Sequence, residues 1–195
     1  MLRAATLVDA EIEAVETEIG KARERIAALR RERAPEPVKD YEFPSKDGGR
    51  TRLSALFVNG RDLVLVHNMG SRCPMCTTWA DGFNGLRRHL EARAAFVVSS
   101  PDPPDVQRAF AASRGWEFAM VSVRDTTFAA DLGFRDGKGN HWPGLSVLRK
   151  TADGTIQRLA KSGFGPFDDF CPLFHVLALF PEGQDDWWPK LDYGR

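Results

Sequence analysis

The sequence predicts a layered α/β domain preceded by one charged helix. Three observations carry that prediction. Residues 6–33 hold a narrow apolar seam in a Glu-, Arg- and Ala-rich stretch; from Tyr41 onward short strand-like runs alternate with amphipathic stretches; and Leu63-Val64-Leu65-Val66 is apolar on both alternating faces, as in a fully buried strand. At 195 residues the chain has room for one ordinary domain and an accessory segment, divided here as 1–37 and 38–195.

In the first segment Ile12, Val15, Ile19, Ala22, Ile26 and Leu29 follow alternating spacings of three and four, a single stripe on one helix. Arg30, Arg31 and Arg33 suit the negative end of the helix dipole, and Pro35 and Pro37 end the helix, leaving residues 34–40 as a linker. Such a stripe either packs on its own domain or meets a partner, and a homodimer through this helix is the expected assembly.

The second segment opens with YEF, a turn at Asp47-Gly48-Gly49 and TRLSALF, read as a hairpin running into a Ser54-capped turn. A turn at Asn59-Gly60 leads into the buried strand, and residues 77–93 then space Trp79, Phe83, Leu86 and Leu90 as one helical face. AAFVVSS is a strand. DPPDVQRAFAASRG is a helix with Asp102 as cap, Pro103 in the first turn and Gly115 as stop. FAMVS, LSVLRK and TIQRL are strands, the last two joined at Asp153-Gly154, while TTFAADLGF and FDDFCPLFHVLALF are a short and a closing helix. The first strands of the sheet are expected to run parallel through right-handed crossovers.

Composition narrows the function. Lys plus Arg and Asp plus Glu both number 27, so no net charge steers the chain toward nucleic acid or an anionic membrane. The N-terminus lacks a signal-peptide apolar run and no later run approaches a membrane span, so a cytoplasmic protein is expected. Three cysteines, at 73, 76 and 171, do not make a secreted disulfide framework; the first two read as a site.

That site is Arg72-Cys73-Pro74-Met75-Cys76, between the buried strand and the helix after it. A thiol attacks a disulfide as its thiolate, and unpaired N–H groups at a helix N-terminus favour negative sulfur on Cys73. Cys76 lies one turn on, within reach of a mixed disulfide at Cys73. Pro74 suits the first helical turn, and Arg72 adds a cation. A zinc site would need two more donors, Cys171 and one of His67, His89, His141 or His175, brought together from distant places, and no second close pair is present. An inert buried pair is the remaining alternative. The redox reading requires no metal and no cofactor.

Other residues carry weaker signals. His67, at the end of the strand before the cysteines, is a candidate proton shuttle or a packed core histidine. Trp142 is a candidate wall for a substrate groove or a core aromatic. Cys171 is read as structural, and Trp187 and Trp188 as docking the C-terminal tail.

The order strand, C-x-x-C, helix, strand, helix, with Trp142-Pro143-Gly144 before a later strand, resembles the thioredoxin superfamily over residues 41–180. The resemblance implies a three-layer sandwich around a mixed sheet, with Pro143 as the cis proline whose backbone grips an extended substrate beside the cysteines. DGGRTRLSALF, DLVLVHN and DTTFAADLGF resemble the peroxiredoxin-like branch. More closely, the Arg-rich helix, LFVNGRDLVLVHNM, CPMC, SRGWEFAMVS and PGLSVL are similar to a bacterial thioredoxin-like family described as predicted dithiol-disulfide oxidoreductases. That implies Cys73 as nucleophile, Cys76 as resolving thiol and a protein or small-molecule disulfide as substrate, with a peroxiredoxin-like peroxidase or a redox-inert binding module as alternatives. The typical peroxiredoxin pattern P-x-x-x-T/S-x-x-C is not reproduced before Cys73, and this counts against efficient peroxide reduction.

Overall fold

The structure, a computed structural model, describes residues 4–45, 47–58 and 60–194. The chain falls into two compact units that part between Pro35 and Glu36. The first is helix α1, Ala5–Glu32, which ends where Arg33 turns extended. No described residue of it is buried.

The second unit is built on a six-stranded mixed sheet. Its strands are β1 (Glu36–Val38), β4 (Asp62–His67), β5 (Ala95–Ser100), β6 (Ala119–Ser122), β7 (Gly144–Lys150) and β8 (Ile156–Gly163), in the spatial order β1-β8-β7-β4-β5-β6. β4, β5 and β6 run parallel, as the intervening α2 (Pro74–Glu91) and α3 (Pro104–Arg114) require. β7, β8 and β1 are antiparallel to their neighbours. A separate hairpin, β2 (Glu42–Pro44) and β3 (Arg50–Arg52), leads into a 3-10 turn at Leu53–Leu56.

The two faces of the sheet hold separate apolar layers. Because side chains alternate along a strand, Leu63 and Leu65 of β4 meet Phe43, Leu53, Phe128 and Phe134 on one face. Val64 and Val66 meet Trp79, Ala80 and Phe83 of α2 on the other. The short α4 (Phe128–Asp131) belongs to the first layer, where the Phe128 ring stands edge-on to Phe43 and Tyr41. Asp62, buried at the start of β4, takes two hydrogen bonds from Arg149, at 2.6 and 2.9 Å, and one from Arg93. These bonds fix the register of β4 against β7.

Four local expectations are corrected. Residues 36–38 are an edge strand, not linker, because Glu36 sits opposite the buried Arg158 of β8 and forms an ion pair with it. The turn after β3 is held by Asp40, which accepts from the Ser54 amide and hydroxyl, both at 2.8 Å. Pro103, not Asp102, occupies the N-cap position of α3, and Asp102 faces elsewhere. The closing helix is only α5, Leu173–Leu177, since Asp168 ties the Gly165, Phe170 and Cys171 amides into a turn before it. The expected turn at Asn59-Gly60 includes a residue outside the described set.

Candidate functional site

The carboxyl end of β4 delivers the chain into a short loop, residues 68–72, and then into α2. Cys73 is the N-cap of α2 and Pro74 its first residue. The Cys76 amide donates to Cys73 Sγ at 3.2 Å, so the first sulfur takes the place of a capping oxygen. Cys73 is half-buried and Cys76 buried, and both are free thiols.

The environments separate the two thiols. Cys73 is pulled down to about 7, first by the hydrogen bond from the Cys76 thiol, against the opposing effect of burial, with help from the Cys76 and Met75 amides. Cys76 is pushed strongly up: it gives the hydrogen bond, it is buried, and it would have to ionise beside Cys73. The Met69 amide, 3.4 Å from Cys76 Sγ, works in the opposite sense. Of the two, Cys73 ionises first, and the proton that remains on the pair sits on Cys76.

The loop is fixed from two sides. Asn68 accepts the Gly70 amide at 2.7 Å and its side-chain nitrogen reaches the Cys76 carbonyl at 3.4 Å. Gly70 has φ +111°, a conformation favouring glycine, and the Cys73 amide donates to its carbonyl at 3.1 Å. From the loop after β5, Asp102 accepts the Ser71 amide at 2.7 Å, while Ser122 Oγ holds the Asp102 carbonyl at 2.7 Å. Buried Gln107 braces this corner by donating to Ser100 Oγ and to the Val121 carbonyl. On the far side of α2, Trp79 Nε1 donates to Asp168 at 2.9 Å. Among the described residues no group of three or more His, Cys, Asp or Glu side chains converges as a metal site.

Residues 7–193 match the family model described as "Bacterial protein of unknown function (DUF899)". The chain belongs to this family. The DUF899 protein is also 35% identical, over 101 residues, to a Mycobacterium tuberculosis protein named "Putative peroxiredoxin MT1643"; the match covers 51% of this chain and 65% of the relative, so the chain spans just under two thirds of it. Peroxidoxin BcpB from Mycobacterium tuberculosis superposes with TM-score 0.51 at 28% identity, covering 63% of this chain and 80% of that one. Reduced Prx3 from Vibrio vulnificus superposes with TM-score 0.57 at 16% identity, covering 75% and 97%, and speaks for the fold alone. The chain has a thioredoxin-like fold of the peroxiredoxin-like branch.

The other residues singled out in the sequence of the DUF899 protein fall in different places. Arg72 is exposed, and the groups that hold Cys73 down are the Cys76 thiol and two amides. His67 is not beside the cysteines. Two-residue alternation turns it to the face opposite α2, where its ring stacks on Phe134 with centroids 3.8 Å apart and Nε2 pairs with Ser146 Oγ at 3.0 Å. Burial, then the positive charges of Arg158 and His141, push it down to about 3, so it stays neutral and cannot exchange protons near pH 7.

Pro143 precedes β7, whose Gly144 pairs with His67, and so stands at the same end of the sheet as the cysteine loop. No cis peptide bond occurs among the described residues, so the expected cis proline is trans here. Its flanking backbone is already engaged: the Trp142 amide donates to the Phe134 carbonyl at 2.8 Å, and the Pro143 carbonyl accepts from Phe164 at 3.0 Å. Trp142 is 56% exposed and lines, with Pro143, Phe134 and Lys161, an open depression of about 460 Å³. Cys171 is buried and its thiol is raised by that burial, in keeping with a packing role.

The residues missed by sequence reasoning are Asn68, Asp102 and Asp168. Asn68 had a local signal, an Asn two residues before a glycine, which suits a side-chain-to-backbone turn. Asp102 and Asp168 act on groups 31 and 89 residues away, and no sequence pattern reports such pairings.

Proposed function

We propose that this protein is a thiol-disulfide oxidoreductase. The observation that carries the reading is the 3.2 Å hydrogen bond from the Cys76 amide to Cys73 Sγ at the start of α2, which puts a half-exposed, thiolate-prone sulfur next to a protonated one. Cys73 thiolate attacks one sulfur of a partner disulfide; a new S–S bond forms, the old one breaks, and the first partner thiolate leaves and is protonated by water. Consumption of the Cys73 charge removes the hydrogen bond and the repulsion that kept Cys76 protonated, and the Met69 amide now favours its thiolate. Cys76 then loses its proton to solvent and attacks Cys73 Sγ. The second partner thiolate leaves, and two electrons have passed from the dithiol to the partner. The partner is a protein or small-molecule disulfide in a reducing compartment.

A second reading, a peroxiredoxin-like thiol peroxidase, is favoured by the names of the relatives in which the sequence match lies. Insulin reduction with dithiothreitol as donor, run beside hydrogen peroxide consumption, separates the two. The proposal expects insulin turnover that Cys73→Ser abolishes, and a Cys76→Ser variant that stalls as a mixed disulfide. Peroxide turnover without insulin reduction supports the second reading. A Cys73→Ser protein that keeps its whole biological role supports a redox-inert module.

A further inference from the structure

Helix α1 carries an apolar seam flanked by charged residues. Ile12, Ile19 and Ile26 recur every seven residues, with Val15, Ala22 and Leu29 between them, which are the a and d positions of a heptad repeat. The five larger side chains of this stripe are 43–55% exposed, so the helix by itself leaves a continuous apolar seam uncovered.

The positions beside the seam are sorted by charge along the helix. Asp9, Glu11, Glu16 and Glu18 flank its first half; Arg23, Arg25 and Arg30 flank its second, with Glu32 the exception. We infer that α1 pairs with α1 of a second copy in antiparallel orientation. In that arrangement Ile12 layers on the partner's Leu29, Val15 on the partner's Ile26, and Ile19 on the partner's Ala22. Asp9 then faces the partner's Arg30, Glu16 the partner's Arg23, and Glu18 the partner's Arg25. Only Glu11 meets a like charge, the partner's Glu32. A parallel pair would set Glu11 against the partner's Glu16 and Arg25 against the partner's Arg30, leaving Glu18 with the partner's Arg23 as the single attractive match. Exposed ion pairs are individually weak, so the apolar seam supplies the affinity and the charges supply the orientation. The inference is independent of the redox reading.

The test uses the full chain in a Cys73→Ser/Cys76→Ser/Cys171→Ser background, after light scattering has measured the mass of the unaltered protein. The unaltered chain is expected to be a dimer. Ile12→Cys chains mixed with Leu29→Cys chains should form a 12-to-29 disulfide on mild oxidation, whereas either chain alone should remain uncrosslinked. Glu16→Arg/Glu18→Arg should raise the dimer dissociation constant roughly tenfold or more while circular dichroism is unchanged, and mixing with Arg23→Glu/Arg25→Glu chains should restore pairing. A 12-to-12 disulfide overturns the orientation. A monomeric unaltered chain, or a dimer that survives removal of residues 1–35, overturns the role of the helix.

Discussion

The Ser71 amide donates to the Asp102 carboxylate at 2.7 Å, tying the loop that leads into Cys73 to the end of the neighbouring strand. Ser71 is two residues from Cys73, so this bond and the Asn68 turn set where α2 begins and hence where its free N–H groups point. Asp102→Ala leaves a part-buried amide unpaired and should cost about 1–3 kcal/mol, read as a drop in the thermal midpoint. It should also slow thiol exchange at Cys73 by roughly ten- to a hundredfold through misplacement. Asp102→Asn keeps an acceptor for the amide and should recover most of both losses, as melting curves and exchange rates on the two variants would show.

Reactivity should follow pH with a defined sign. Because Cys73 is held near 7, its alkylation by iodoacetamide should rise with pH, reach half its plateau near pH 7, and fall to about one tenth of the plateau one unit lower. Removing the thiol that donates to it raises its pKa toward the ordinary value, so Cys76→Ala should shift the midpoint upward. Peptide-resolved mass spectrometry after brief labelling distinguishes Cys73 from the buried Cys76 and Cys171. Preferential labelling of either buried cysteine would reverse the assignment of the nucleophile.

Gly144 has no room for a side chain. A Cβ there would overlap the Phe134 ring and the Ser162 carbonyl and lie 3.1 Å from the Gly163 α-carbon, and two of these three neighbours are backbone of the paired strand. Gly144→Ala should destabilise by about 1–3 kcal/mol or more, since β7 and β8 must separate to admit it. Urea unfolding of the variant is the measurement. An unchanged midpoint would mean that the strands give way without cost.

Trp79 joins the cysteine helix to the turn before α5 through its indole N–H on Asp168. Trp79→Phe keeps an aromatic ring to stack on Phe164 and deletes only the donor. Asp168 retains the Gly165, Phe170 and Cys171 amides, so the expected loss is modest, about 0.5–1.5 kcal/mol in denaturant unfolding.

The layered fold was legible because its central strand and helix obey simple periodicities: Leu63 to Val66 is apolar throughout and is buried or half-buried, and Trp79 and Phe83 share the face that packs on it. The cysteine pair was legible because its spacing and its place after that strand are local facts. What failed was long-range. Glu36 reads as part of a Pro-flanked linker until Arg158 is opposite it, and Asp102 reads as a helix cap until the Ser71 amide is found nearer. His67 looked adjacent to Cys73 along the chain, yet strand alternation sends its side chain through the sheet. Pro143 occupies the expected end of the sheet, while the backbone pairings around it, Trp142 with Phe134 and Pro143 with Phe164, are visible only in three dimensions.

The most direct measurement of the central claim is a redox titration of the full protein in glutathione buffers, with each cysteine's state mapped by mass spectrometry. The account predicts one reversible two-electron transition in which Cys73 and Cys76 pass together from thiols to a disulfide while Cys171 stays a thiol, with dithiothreitol restoring both. A Cys73 that accumulates as a glutathione mixed disulfide while Cys76 remains reduced, or that pairs with Cys171 instead, would contradict it.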